Sequence, residues 1–415
     1  MGGTIEQSFV KELKKGESAK LLALDGGGVK GISSLLILQA IMDAVKKEEQ
    51  KQGVDSSDEE RRPRDYFHLA AGTSTGGLIA LMLFRLGMKT SDAIKEYRSL
   101  ASKVFEPKIW KFSLHWRGPF GPVGYWLGNG WLKFKATFLS SRFSDQPLKD
   151  AIDHVVGDYG RNEDKDGKGN ADLLNEKAGR MFMCTTLKDK GESILLRSYK
   201  IPEDAIPATF PSTDGAKEAL KDELGKMSIS VAACATSAAP TYLPEVKYET
   251  PLLLFRFWDG GLLNNNPIDQ LWRARYDLVK PDEPAPPVSS VVSLGTSWST
   301  ATSWSPFRFI NTVTTAASFI TNTESKHMDF KRFINRVKSR PGSAKDIEYF
   351  RFNAPTNNEA FNLDDYRKMS RLEDITTEWL EKEVDEEITN CGVSLAKKRD
   401  ELRSDELRRQ VKVRS

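Results

Sequence analysis

Apolar residues along the chain fall into two kinds of run, and their alternation sets the first expectation for the fold. Short, nearly continuous apolar runs ending in glycine read as buried strands; longer stretches with apolar positions three and four apart read as helices. Lys20-LLAL-Asp25 is of the first kind. A helix from about Ser33 to Glu49 follows, with Leu36, Ile37, Ala40, Ile41, Ala44 and Val45 at its apolar positions. After a polar linker from Lys51 to Arg64 the same order returns: a strand from Tyr66 to Ala71, the turn GTSTGG, and a helical run from Leu78 to Leu86. Two strand–turn–helix units in succession predict a parallel sheet with helices packed on it.

Downstream, MFMCTTL (181–187) and ILLRSYK (194–200) read as strands. A helix is predicted from roughly Lys221 to Ser237, then strands at Leu252–Trp258 and Val288–Leu294. Two segments break the pattern. Gly157 to Gly179 is polar and reads as a surface insertion. Residues 107–138 place Trp110, Phe112, Trp116, Tyr125, Trp126 and Trp131 among prolines, glycines and basic residues, with no acid. Core packing explains such a run, and so does a lid or lipid-contacting face, because Trp and Tyr favour interfaces and Lys or Arg anionic headgroups. Past Tyr366, Met369, Leu372, Ile375, Trp379 and Val384 mark an amphipathic helix, and Gly392 to Ser415 reads as a charged helical tail. The domain reading is therefore a catalytic unit over 15–345, carrying the 107–138 and 157–179 insertions, and a helical extension over 346–415.

Charge and composition narrow the classes. The 415 residues include 61 Lys or Arg against 58 Asp or Glu, a formal net charge of +3, which offers no field for wrapping nucleic acid. At 39% hydrophobic and 29% charged residues the chain reads as globular. Cys184, Cys234 and Cys391 have no metal-type or redox-type spacing, so reduced thiols in a cytoplasmic protein are expected, without disulfides or a metal. The start, MGGTIEQSFV, lacks a signal-peptide core and the Ser or Thr of a myristoylation pattern. No run approaches about 18 consecutive apolar residues, so membrane contact, if made, is expected to be peripheral.

Three glycine-rich segments carry candidate chemistry. Gly72-Thr73-Ser74-Thr75-Gly76 matches G-x-S-x-G and lies between a predicted strand and a predicted helix, the setting in which that turn lifts a serine hydroxyl out of the sheet edge. Ser74 is the candidate nucleophile. Asp25-GGGVK-Gly31 closes the first strand and opens the first helix, so the amides of Gly26, Gly27 and Gly28 form a candidate oxyanion hole, with Lys30 fixing the loop. The same residues satisfy G-x-G-x-x-G, the dinucleotide fingerprint. That reading needs an acid on a second strand about 20 residues on, and KKEEQKQGVDSSDEE has no strand before it.

Asp259-Gly260-Gly261 follows a predicted strand. Asp-Gly alone is a hairpin signal, but a serine nucleophile without a base is inert, which makes Asp259 the candidate base. The order Ser74, Asp259, His327 also permits a Ser-Asp-His triad. NEDKDGKGNADL (162–173) imitates a calcium loop, yet Leu173 stands where the bidentate Glu belongs.

In these motifs, DGGGVKG, GTSTG and DGG in that order, and in the flanking ATSAAPTYLP and NNNP, the chain resembles the patatin-like phospholipase family from about Lys20 to Gly295. The glycine-rich and elbow segments look similar to fungal members and to soluble calcium-independent phospholipase A2 enzymes. The resemblance implies a three-layer α/β/α fold with a mostly parallel sheet. It implies a lipid acyl hydrolase of the phospholipase A or lysophospholipase type, acting on phospholipid or other acyl-ester lipids through a Ser74–Asp259 dyad without histidine or cofactor. Asp25, Lys30, Gly31, Gly72, Gly76 and Gly260 would support the motifs. Lys30 stands where many members have Arg, and His68 where an Asp is common. The alternatives are the triad esterase and a lipid-binding regulatory module that keeps the fold without turnover. An unperturbed Asp titrates at ~3.9, so a dyad should work well below neutral pH unless burial raises that value.

Overall fold

A computed structural model describes residues 13–14, 16–106, 108–109, 112–113, 143–200, 221–251, 254–299, 323–339 and 346–397. The aromatic segment 107–138 lies almost wholly outside these residues, as does the basic tail past 397.

The strands of the central sheet are β1 (Ala19–Leu24), β2 (Leu69–Thr73), β3 (Met181–Leu187), β4 (Glu192–Arg197), β5 (Val246–Glu249), β6 (Leu254–Asp259), β7 (Val288–Leu294) and β8 (Glu348–Phe352). They form one sheet in the order β8-β7-β1-β2-β3-β6-β5, with β4 also paired to β3. The run from β8 to β3 is parallel; β4, β5 and β6 join antiparallel. The main helices are α1 (Gly31–Lys51), α2 (Thr75–Ala80), α3 (Thr90–Phe105), α4 (Gln146–Tyr159), α5 (Ile229–Ser237), α6 (Ile268–Ala274), α7 (Glu324–Lys338), α8 (Met369–Lys382) and α9 (Asp385–Leu395).

Period-two alternation along buried strands separates two cores. Leu22 and Leu24 of β1 and Val292 and Leu294 of β7 face the larger core with α1, α3, α4 and α5. Ala19, Leu21 and Ala23, with Val288 and Val291, face the smaller one with α6 and α7. The result is the expected three-layer α/β/α arrangement. Gly28–Lys51 is long and apolar enough to cross a membrane, and 67% of its most apolar window is buried in this fold.

Several boundaries differ from expectation, each for a local reason. The helix expected from Lys221 to Ser237 breaks before α5, where the Ser228 hydroxyl accepts the Val231 N–H as an N-cap. The elbow helix turns into a π-helical stretch at Leu81–Arg85, placing Arg85 where it pairs with Asp164 through two bonds of 2.7 and 2.8 Å, both residues buried. Asp164 belongs to the stretch expected as a surface insertion over 157–179. That stretch instead begins as the end of α4 and is anchored by a buried ion pair.

The expected helical extension, 346–415, opens with β8, the edge strand of the central sheet. α8 and α9 then pack against α1, where the Thr376 hydroxyl donates to that of Ser33 at 2.9 Å.

Candidate active site

The site lies at the carboxyl ends of β1, β2 and β6, and strand register explains its assembly. β3 runs past the end of β2: Thr73 pairs with Cys184, and the next position of β3, Thr185, pairs with Asp259 of β6. One strand therefore hands its edge from β2 to an antiparallel neighbour, so Ser74 and Asp259 meet although 185 positions separate them in the chain.

Ser74 occupies the sharp turn between β2 and α2 with φ 52° and ψ −122°, a region costing a non-glycine residue about 1–3 kcal/mol. Its surroundings impose this conformation. A Cβ on Gly72 would strike the backbone of Gly76 and Gly77, and one on Gly76 would strike the carbonyls of Leu24 and Asp25. Thr236 at the end of α5 steadies the turn, accepting the Ser74 N–H at 2.9 Å and donating to the Cys184 carbonyl at 2.7 Å.

Asp259 is 1% exposed. Its carboxylate accepts the Gly261 N–H at 2.6 Å, and the Ser74 hydroxyl lies near enough to favour its charged form. Burial pushes this carboxyl up to about 6, against the opposing pull of those two uncharged groups. The strand does not make the hairpin turn that Asp-Gly suggests: Gly260 leads into a helical turn, Gly261–Asn264.

The third segment descends from β1. Among the described residues neither the Gly27 N–H nor the Gly28 N–H has an acceptor, and both glycines line a cavity with Ser74 and Asp259. Gly26, expected as a third donor, is not free: its N–H goes to the Asn265 carbonyl at 3.0 Å, and its own carbonyl accepts from Thr296 at 2.8 Å. The cavity, taken together with its opening to solvent, spans about 600 Å³, and its walls are chiefly apolar, from Leu78, Leu100, Val104, Leu148 and Leu243.

The supporting residues divide. Gly31 sits against Thr75 and Tyr97. Lys30 is buried, and burial alone pushes its ammonium down to about 8. Asp25, fully buried, pairs at 2.7 Å with Arg351 of β8, which also reaches Glu324 at 2.9 Å.

None of the histidines in the described residues lines the cavity. His327 rests on Tyr349, its Nδ1 3.0 Å from the phenol oxygen. His68 Nδ1 accepts the Lys20 N–H at 3.0 Å, at the opposite end of β1. His154 is half-exposed on α4. His115 lies outside the described residues. No group of three or more His, Cys, Asp or Glu side chains among the described residues is arranged to hold a metal.

Sequence reasoning did not select Thr236, Asn265, Thr296, Tyr97, Leu363 or Arg351. Thr236 and Asn265 fall inside ATSAAPTYLP and NNNP, so a signal existed for those two. The others carry no local motif.

Comparison with known proteins finds a family model and relatives. Residues 22–272, more than half of the chain, match the family model described as patatin-like phospholipase. The chain is 28% identical over 265 residues to patatin-like protein 2 of Arabidopsis thaliana, covering 61% of this chain and 51% of that protein. It is 23% identical over 375 residues to phospholipase A I of the same plant, covering 84% of this chain and 25% of the relative. It is 28% identical over 249 residues to a cGAMP-activated phospholipase of Vibrio cholerae, covering 60% and 55%. The chain thus spans about half the length of the first of these relatives. With three glycine motifs gathered at one end of a three-layer α/β/α sheet, and a family match across all of them, the chain belongs to the patatin-like phospholipase family.

Proposed function

We propose that this protein hydrolyses carboxylic esters of phospholipids or other acyl lipids through a serine acyl-enzyme, with Ser74 as nucleophile and Asp259 as its base. The observation that carries the reading is the placement of the Ser74 side chain beside a buried carboxylate, both lining one chiefly apolar cavity. Ser74 Oγ attacks the ester carbonyl while its proton passes to Asp259. The carbonyl oxygen, now an anion, is received by the Gly27 and Gly28 amides. The bond to the alcohol breaks, the alcohol leaves with the proton from Asp259, and water returns through the same two transfers to free the fatty acid.

Apolar walls suit the acyl chain, and the phospholipase names of the relatives support a lipid substrate of the phospholipase A or lysophospholipase type. Contact with a lipid surface is peripheral in this reading, and the working compartment is the cytoplasm.

The test is fatty-acid release from phospholipid and lysophospholipid vesicles and turnover of short p-nitrophenyl esters. Both activities are expected in the parent and absent in Ser74→Ala. Binding of lipid without release of fatty acid would leave only the regulatory-module reading.

A further inference from the structure

The carbonyl of Gly28 is held by an unusual number of donors, and they come from distant parts of the chain. Thr75, the residue after the nucleophile, donates its hydroxyl to it at 2.9 Å. Tyr97 of α3, 2% exposed, donates its phenol hydroxyl to the same oxygen. The N–H of Gly31 is a third donor. On the other side of the same peptide unit, the Val29 N–H donates to the Leu363 carbonyl at 2.9 Å. Gly28 has φ +58°, and a side chain there would run into the Leu363 backbone.

The Gly28–Val29 peptide is therefore pinned at both ends, and a single backbone residue separates it from the unpaired Gly28 N–H. A loop of three glycines has ample freedom to turn that amide elsewhere. Hydrogen-bond donors lower a barrier only when they are held in place before charge develops.

The geometry points to Tyr97 as a positioning residue. Its hydroxyl, together with that of Thr75, fixes the Gly28 carbonyl, and the carbonyl of Leu363 closes the clamp from a segment beyond the 22–272 family match. Tyr97 touches no reacting atom in this account. It acts through the loop, and the inference rests on the acyl-enzyme reading above.

The experiment compares the parent with Tyr97→Phe, Thr75→Ser, Thr75→Val and the double variant Tyr97→Phe/Thr75→Val on a short p-nitrophenyl ester. Turnover is expressed per active site titrated with an alkyl fluorophosphonate, so that misfolded protein does not count. Tyr97→Phe is expected to lower kcat about tenfold with KM within about twofold, the size of one lost hydrogen bond expressed in the transition state. Thr75→Ser keeps the hydroxyl and is expected to keep kcat. The double variant is expected to lose more than the product of the Tyr97→Phe and Thr75→Val losses, because each hydroxyl backs up the other. Fluorophosphonate inactivation should slow in parallel with kcat, since its phosphoryl oxygen occupies the same hole.

Unchanged kcat per site in Tyr97→Phe, or a double variant that is merely multiplicative, overturns the clamp. If Ser74→Ala retains the parent's turnover, the acyl-enzyme reading fails first. If Ser74→Ala is dead while Tyr97→Phe matches the parent, the clamp alone fails.

Discussion

The chain places Asp-Gly-Gly at the end of two strands, and the two copies do different things. Asp25 follows directly on β1 and Asp259 ends β6; they are 0% and 1% exposed. Burial acts on both carboxyls in the same direction, raising the cost of charge. At Asp25 the opposing influences are, first, the guanidinium of Arg351, brought by β8 from 326 positions away, and then the Thr323 hydroxyl. At Asp259 they are only a hydroxyl and a backbone amide, both uncharged. The first carboxylate is the partner of a buried guanidinium beneath the Gly26–Gly28 loop. The second lies beside the Ser74 hydroxyl, from which the proposed mechanism has it take a proton. Identical tripeptides at two strand ends thus acquire different surroundings from what the adjacent strands deliver.

The sharpest way to break this comparison is to exchange what each carboxylate can do. Asp259→Asn should cost about 10²–10⁴-fold in kcat, the range over which a positioned acid–base group acts; steady-state ester hydrolysis measures it, with the neutral amide expected to leave the fold at least as stable at pH 7. Arg351→Met should instead act on stability. It strands a buried carboxylate and should lower unfolding free energy by about 3–5 kcal/mol, read by denaturant titration.

A smaller effect comes with pH. Asp259 must be ionised to accept the proton, so kcat/KM should rise through about pH 6 and level above it, not persist at full value far below neutrality. The same raised value links to stability with the opposite slope. Between the ordinary carboxylate range and about 6 the native chain binds the extra proton, so the stability this group contributes is full at low pH and is lost as pH rises through about 6. Asp259→Asn should flatten that slope in pH-dependent melting. The smallest expected effect is His327→Ala. With its ring against Tyr349 and away from the cavity, kcat should stay within about twofold, within the spread of surface substitutions; a large loss would restore the triad.

How far the amino-acid order alone reached follows from the range of the forces involved. Strand–turn–helix units, the β3 and β7 boundaries, and the elbow at Ser74 were legible because each depends on nearest neighbours: apolar periodicity, and glycines that a tight turn demands within five residues. Asp259 is legible as a candidate base only through the need of Ser74 for one; Asp-Gly by itself reads as a hairpin turn, because nothing local separates a turn aspartate from a buried one. β8 was read as part of a helical extension, since a short amphipathic strand at a sheet edge has a weak pattern. What only the tertiary structure decided are the relations across the sheet: that β3 passes from β2 to β6 and so brings Ser74 to Asp259, that Asn265 occupies the Gly26 amide, and that Tyr97 and Leu363 grip the Gly28–Val29 peptide. Burial, and with it the charge state of each carboxylate, depends on the summed surroundings of a group, and those are assembled from residues hundreds of positions apart.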